Sequence, residues 1–332
     1  METPERILVI RLTAIGDVVL TLPAVSVLRR KFPAAKISFL TTRENAELLR
    51  GFRDVAETIT IDRKLLRGTN VFRSGGELLR LIRRLRAGRF SLAVDFQSNG
   101  ESGWLTRLTG APRRWGVAKK PSRRWAYTVA LDALPLHPAE THCALLRHCG
   151  LDTGGARNEF FLPPEASAAA REFFAAQKLS PEKPTLFIQP FTSAAHKNWP
   201  LENYVAVARH WRAQGVQVIL GGGPADRAVL EPARAEGFAV SAGVPLLVTG
   251  GLLQLSSLAL GGDTGALHLA VAEGRRVLML MHMAAPASPI PYQHPEWVIA
   301  APRPEAIAEI RVEEVNAAVA RMISAPADNA SC

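Results

Sequence analysis

Short apolar runs alternate with helix-patterned stretches along this chain, and the alternation occurs twice. Ile7-Leu-Val-Ile-Arg-Leu12 breaks at Thr13-Ala-Ile-Gly-Asp17, and helical periodicity then runs from Val18 to Lys31 and closes before Pro33. Strand patterns follow at Lys36 to Thr41, Thr58 to Ile61 and Ser91 to Phe96, separated by helical patterns at Glu44 to Arg50, Glu77 to Arg86 and Glu101 to Thr109. After a helix-like Ala139 to Cys149 and the Gly- and Pro-containing stretch 150–164, the pattern restarts. Strands at Thr185 to Gln189, Val216 to Leu220, Leu258 to Leu260 and Val277 to Met281 then interleave with helices at Leu201 to Ala213, Ala225 to Glu236, from Gly265 and from Pro304 to Ile323. Such alternation implies parallel sheets covered by helices, an α/β fold.

The 332 residues exceed one ordinary α/β core, so two domains are expected, residues 1–155 and 156–332, with the C-terminal helix as a segment able to pack back on the first. Hydrophobic residues make up 48% and charged residues 21%, a balance that excludes a disordered chain. Three cysteines without a CxxC pair, and a start lacking signal-peptide character, point to the cytoplasm. No stretch approaches the roughly 20 apolar residues of a spanning helix, so any membrane contact is expected to be peripheral. The net charge of +10 is uneven: residues 1–150 carry 26 Lys+Arg against 13 Asp+Glu, and 151–332 carry 14 against 17. That basic half suits a polyanionic partner, with plain solubility as the simpler reading.

Ligands of open α/β sheets bind beyond the carboxyl ends of the strands, so the loops there hold the candidates. Asp17 begins the first helix, either as its cap or as a carboxylate general base at the mouth of the first strand. In the loop 189–200, Thr192, Ser193 and Lys197 supply donors for phosphate oxygens without a metal, or form an ordinary loop with a solvated lysine. Gly261-Gly-Asp-Thr-Gly265 opens the helix that contains His268; Asp263 either accepts from sugar hydroxyls or caps a structural turn with His268 in the core. Asp226 follows another strand and lies where an acid meets a ribose in dinucleotide folds. The first turn lacks GxGxxG, and GxxxxGK[ST] is absent, which argues against dehydrogenase and P-loop readings. His142-Cys143 and His148-Cys149 fall on different faces of a helix, so they read as structure rather than as a zinc site. No carboxylate pair has DxD spacing, and no metal or cofactor is expected.

In this order the segments resemble the ADP-heptose:lipopolysaccharide heptosyltransferases, glycosyltransferase family 9. Ile7 to Pro23 is similar to the family's opening, Asp95-Phe-Gln97 to its D-x-Q segment, and His196-Lys-Asn-Trp-Pro200 and Gly262-Asp-Thr-Gly-Ala-Leu-His-Leu-Ala270 to its K-x-W-P and D-T-G-x-x-H-L-A signatures. The resemblance spans nearly the whole chain. It implies a GT-B type fold, two Rossmann-like domains with parallel sheets facing a central cleft, the acceptor on the first and the nucleotide sugar on the second. It further implies inverting transfer of heptose from ADP-heptose to a phosphorylated lipopolysaccharide inner-core acceptor at the inner face of the membrane.

The residue roles that the resemblance implies are as follows. Asp17 is the catalytic base; Lys197, Thr192 and Ser193 hold the diphosphate; Asp263 holds the donor sugar; Thr264 and Gly265 offer phosphate contacts; Asp226 approaches the ribose; and His268 completes the donor set. Arg63, Lys64, Gln97 and Arg123 are the candidate acceptor residues, in a half whose basic side chains also suit anionic lipid. Two departures stand out: Ser-Asn-Gly-Glu-Ser-Gly103 after Gln97, and His-Met-Ala-Ala-Pro286 after Met281 where the family has glycine-proline-threonine. They keep open a related transferase with another nucleotide sugar and a different acceptor. A nucleic-acid binder finds no RRM or zinc-finger signature here. Gly250-Gly251 interrupts a segment expected to be helical, at about 1 kcal/mol per glycine.

Overall fold

A computed structural model describes residues 3–63, 71–283, 285–303 and 306–323, apart from the side chains of 71–74. The chain divides into two compact units, Met1–Asn158 and Glu159–Cys332.

The first unit is one six-stranded sheet of β1 (Arg6–Ile10), β2 (Lys36–Thr42), β3 (Glu57–Ile61), β4 (Leu92–Asp95), β5 (Arg113–Ala118) and β6 (Val129–Asp132). All neighbours are parallel, in the order β3-β2-β1-β4-β5-β6. Helices α1 (Ile15–Val19), α2 (Leu22–Lys31), α3 (Val71–Ala87), α4 (Gly100–Leu108) and α5 (Pro138–His148) connect the strands. Ile7 to Ile10 are fully buried, as expected of a parallel strand covered on both faces.

Three sequence expectations change here. The single helix expected from Val18 to Lys31 is broken, because Pro23 in the first turn of α2 has no N–H to continue a ladder and fits a fresh helix start. The Glu44–Arg50 helix is two 3-10 turns, Arg43–Asn45 and Glu47–Gly51. β5 and β6 lie in a stretch read from sequence for its charge alone; Trp115 and Val117 point inward while Arg114 donates to the carbonyls of Ala126 and Ala111. His142 and Cys143 are core residues of α5: burial lowers the imidazole pKa to about 3 and raises the thiol's to about 12.

The second unit repeats the plan with β7 (Thr185–Gln189), β8 (Gln217–Leu220), β9 (Ala239–Val240), β10 (Leu258–Gly262), β11 (Val277–Met281) and β12 (Val298–Ala300). Its order is β12-β11-β10-β7-β8-β9, again parallel throughout. The helices are α6 (Pro164–Ala176), α7 (Leu201–Ala213), α8 (Arg227–Ala235), α9 (Leu246–Gln254), α10 (Gly265–Ala272) and α11 (Val312–Ile323). Alternation along the strands builds two cores. Leu186, Ile188, Leu258, Leu260, Leu278 and Leu280 face α7 and α11, whereas Phe187, Ala259, Val277 and Met279 face α6, α9 and α10. The C-terminal helix, foreseen as able to return to the first half, seats Val315, Ala318 and Val319 in the core of the second unit.

Gly250 and Gly251 lie inside the continuous helix α9. A Cβ on Gly251 would stand 2.6 Å from Ala170 Cβ and 3.0 Å from the Ala166 carbonyl, so the glycine that weakens the helix lets α9 press against α6.

Each sheet reverses direction once, between β1 and β4 in the first unit and between β7 and β10 in the second. A strand-order reversal opens a crevice at the carboxyl ends of the two strands that flank it, and the loops leaving these four strands carry most of the candidate residues.

Candidate functional site

At the first reversal, the chain leaves β1 through Arg11 to Asp17. Arg11 Nη2 lies 2.6 Å from Asp17 Oδ2. Arg11 Nη1 donates to the Phe96 carbonyl, in the loop leaving β4, at 2.6 Å. The Ala14 N–H donates to Asp17 Oδ2 at 2.9 Å, so the carboxylate does close off the start of α1. Both bonds use Oδ2; Oδ1 accepts nothing among the described residues, and the side chain is one-third exposed. The cap and base readings of Asp17 therefore need not compete, because each has its own oxygen.

Gln97 holds the same loop from the β4 side. Its Oε1 accepts from the Leu12 and Thr13 N–H groups at 2.9 and 3.1 Å, and Asn45 donates to the Leu12 carbonyl at 2.8 Å. Asp95, fully buried, organises the next turn by accepting from the N–H groups of Gln97 and Ser98 and the hydroxyls of Ser102 and Tyr127. Burial raises the Asp95 pKa against the pull of those four bonds, and burial together with the Asp95 charge raises that of Tyr127.

The expected acceptor residues gather around this turn. Arg63 makes a two-pronged pair with Glu101 at 3.0 and 2.7 Å, and Arg123 Nη1 donates to the Ser98 carbonyl at 3.3 Å. Lys64 lies outside the described residues. Arg63 is thus already neutralised, a partner that its sequence reading did not include. Lys119, also in this neighbourhood, has its pKa lowered by desolvation and by the charge of Arg11, with Asp17 and Asp95 acting in the opposite sense.

At the second reversal, Lys197 Nζ lies 3.0 Å from Asp263 Oδ2, and His268 Nε2 lies 3.1 Å from Asp263 Oδ1. Burial works to raise the Asp263 pKa, but His268 and Lys197 outweigh it and hold it below the ordinary carboxylate range. His268 is buried, and its Nδ1 has no hydrogen-bond partner among the described residues. The structure therefore joins three residues from two separate signatures into one charged cluster.

The Gly261-Gly262 pair has a packing role. A Cβ on Gly261 would stand 2.4 Å from the Gln189 carbonyl, and one on Gly262 2.6 Å from Thr192 Cγ2. The glycines thus admit β7 and its loop against β10, which is what brings Lys197 to Asp263. Trp199 closes that loop as a core residue, its indole N–H donating to the Ile310 carbonyl at 2.9 Å.

Thr192, Thr264 and Asp226 among the remaining donor candidates have internal partners. Thr192 Oγ1 donates to the Ala194 carbonyl at 2.9 Å while its N–H donates to Asn198 Oδ1 at 2.8 Å, and Ser193 is exposed. Thr264 Oγ1 caps α10 by accepting from the Leu267 N–H at 3.3 Å, and Gly265, as the first residue of the helix, has no intrahelical acceptor for its N–H. Asp226 Oδ2 accepts from the Gly223 N–H at 2.7 Å beyond β8. His282, in the stretch that departs from the family, meets His196 edge to face at 5.8 Å. The sequence reading did not single out Arg11, Asn45 or Asn198; an arginine ending an otherwise apolar strand, Ile-Leu-Val-Ile-Arg-Leu12, was the available signal for the first.

Comparison with known proteins bears on the family and the fold. Residues 78–316 match the family model for glycosyltransferase family 9 (heptosyltransferase). The lipopolysaccharide core heptosyltransferase OpsX of Haemophilus influenzae is 22% identical over 309 residues, 90% of this chain and 85% of that protein. Among solved structures, a family 9 glycosyl transferase from Veillonella parvula superposes with a TM-score of 0.84 at 21% identity, covering 96% of this chain and 97% of its own. The ADP-heptose lps heptosyltransferase II of E. coli gives 0.77 at 20% identity, covering 96% and 98%. The fold class is α/β of the GT-B type, with two Rossmann-like sheets. The chain belongs to glycosyltransferase family 9, the heptosyltransferases, and is a glycosyltransferase.

Proposed function

We propose that this enzyme transfers heptose from ADP-heptose to a phosphorylated, lipid-linked inner-core acceptor of lipopolysaccharide, with inversion at the anomeric carbon, at the inner face of the cytoplasmic membrane. The observation that carries the reading is the Lys197–Asp263–His268 cluster at the strand-order reversal of the second sheet. Family membership and the names of the relatives supply the sugar and the acceptor class.

The chemistry needs few parts. The acceptor hydroxyl oxygen attacks the anomeric carbon, the bond from that carbon to the diphosphate breaks, and the proton passes to Asp17 Oδ1, the oxygen free of internal bonds. ADP departs with the bonding pair, and its growing charge is met by the Lys197 ammonium and by N–H groups at the start of α10. Asp263, ionised and fixed by Lys197 and His268, accepts from sugar hydroxyls, and Asp226 approaches the ribose. Gln97, Arg123 and Arg63 line the acceptor side; Lys64 is part of the same proposal. No metal enters this scheme, because the ammonium and the helix dipole meet the leaving-group charge.

A second reading, a related transferase with another nucleotide sugar and acceptor, is favoured by the His196–His282 contact in the loop that departs from the family. A thermal-shift panel separates the two. A ligand at 100 times its Kd adds about 2.7 kcal/mol of stability, so ADP-heptose and ADP should shift the melting temperature while UDP and GDP sugars should not. A shift with a UDP or GDP sugar and none with ADP-heptose would overturn the first reading in favour of the second.

A further inference from the structure

We propose that the exposed Trp104–Trp125 pair and the cationic loop beside it form a docking surface for an anionic lipid bilayer. The inference deepens the reading of a lipid-linked acceptor and rests on it.

Trp104 is 60% exposed and Trp125 44%, whereas Trp115, eleven residues after the first, is 2% exposed. The two exposed indoles touch, with ring centroids 4.5 Å apart and planes at 56°. Packing beneath them sets this arrangement. A Cβ on Gly103 would stand 3.3 Å from Ala126 Cβ, so α4 and the 3-10 turn Pro121–Ala126 meet through small residues and direct both tryptophans outward. Adjacent exposed indoles are unfavourable in water and favourable at a headgroup boundary, where the ring meets acyl chains and the N–H meets water.

Charge identifies the occupant. From Trp104 to Leu131 the chain has seven Lys or Arg residues and no Asp or Glu. Lys119, Lys120 and Arg124 are exposed in the loop that carries Trp125, and Arg124 shares its charge with Asp132 at 2.7 Å. Aromatic side chains among cations that outnumber the neighbouring carboxylate match an anionic surface. A carbohydrate platform would present one flat face, whereas these two rings are tilted 56° to each other.

Placement connects the surface to the reaction. The loop leaves the carboxyl end of β5 and α4 begins just beyond the carboxyl end of β4, on the edge of the sheet where Asp17 lies. Lys119 senses the Asp17 charge, and Arg123 bonds the turn that follows Gln97. A bilayer held at Trp104 and Trp125 therefore lies beside the acceptor residues, where a lipid-linked sugar would emerge.

The test is co-sedimentation of the full chain with vesicles of phosphatidylcholine, with or without phosphatidylglycerol. Wild type should bind the anionic vesicles and release in high salt. Trp104→Ser/Trp125→Ser should bind at least tenfold more weakly, and Lys120→Gln about fivefold, while ADP still shifts their melting temperatures as in wild type. Wild type left in the supernatant, a double variant that sediments normally, or binding to an oligonucleotide in preference to anionic vesicles would each overturn the proposal. Tryptophan-dependent vesicle binding by an enzyme that transfers nothing from ADP-heptose would uphold the surface and end the functional reading instead.

Discussion

The Arg11 guanidinium joins Asp17 to the β4 loop, with Nη2 2.6 Å from the carboxylate and Nη1 2.6 Å from the Phe96 carbonyl. One planar, forked cation thereby fixes the direction in which Asp17 Oδ1 points. A lysine keeps the charge but has no fork to span both partners. Arg11→Lys should lower kcat about ten- to a hundredfold and leave ADP affinity unchanged, as steady-state kinetics beside calorimetric titration will report. A loss of ADP affinity equal to the loss of turnover would assign Arg11 to the donor instead.

Lys197→Ala removes a charge proposed to serve both the bound diphosphate and the leaving group. It should weaken ADP binding and reduce kcat/KM by more than that weakening accounts for. The substitution also leaves Asp263 with His268 alone. Because the folded pKa of Asp263 is held down, its stabilising contribution is present above the ordinary carboxylate pKa and is lost as pH falls through the lowered one. Denaturant titrations from pH 7 to pH 3 should show wild type losing stability more steeply than Asp263→Asn.

Glu273 behaves in the opposite way. Both its carboxyl oxygens are buried without hydrogen-bond partners among the described residues, and burial raises its pKa well above the usual value, with Arg275 in partial opposition. A raised folded pKa gives a contribution that is present in acid and lost as pH rises through it. Glu273→Met should therefore melt higher than wild type at pH 8, by the equivalent of about 1–2 kcal/mol, with a smaller difference at pH 5. Equal gains at both pH values would show that packing, not the proton, decides.

Gly251→Ala tests the contact between α6 and α9. Propensity alone favours alanine in a helix by about 1 kcal/mol, but the new methyl meets Ala170 Cβ at 2.6 Å. Overpacking costs about 1–3 kcal/mol, so the variant should melt below wild type. A higher melting temperature would mean that the helices separate readily.

What the sequence revealed and what it hid follow from range. Asp17, Lys197, Asp263 and His268 were legible because each lies in a short motif at a strand end, where local spacing reports the loop. The Lys197–Asp263 contact spans 66 residues and depends on the missing side chains of Gly261 and Gly262, a packing role that no local spacing reports. Arg63 read as a free cation because its partner Glu101 lies in α4, 38 residues away. β5 and β6 were obscured because Arg113 and Arg114 mask a strand that turns Trp115 and Val117 inward. The break at Pro23 was visible locally but was overridden by the long apolar periodicity around it.

The proposed transfer requires above all that Asp17 act as the base toward a donor gripped elsewhere, and Asp17→Asn examines this most directly. The variant keeps the side chain's shape and an oxygen able to accept from Ala14, but has little capacity to take a proton. With ADP-heptose and a lipid-linked acceptor, kcat should fall about 10²- to 10⁴-fold while the Kd for ADP stays within about twofold of wild type. Turnover within a factor of three of wild type would contradict the account.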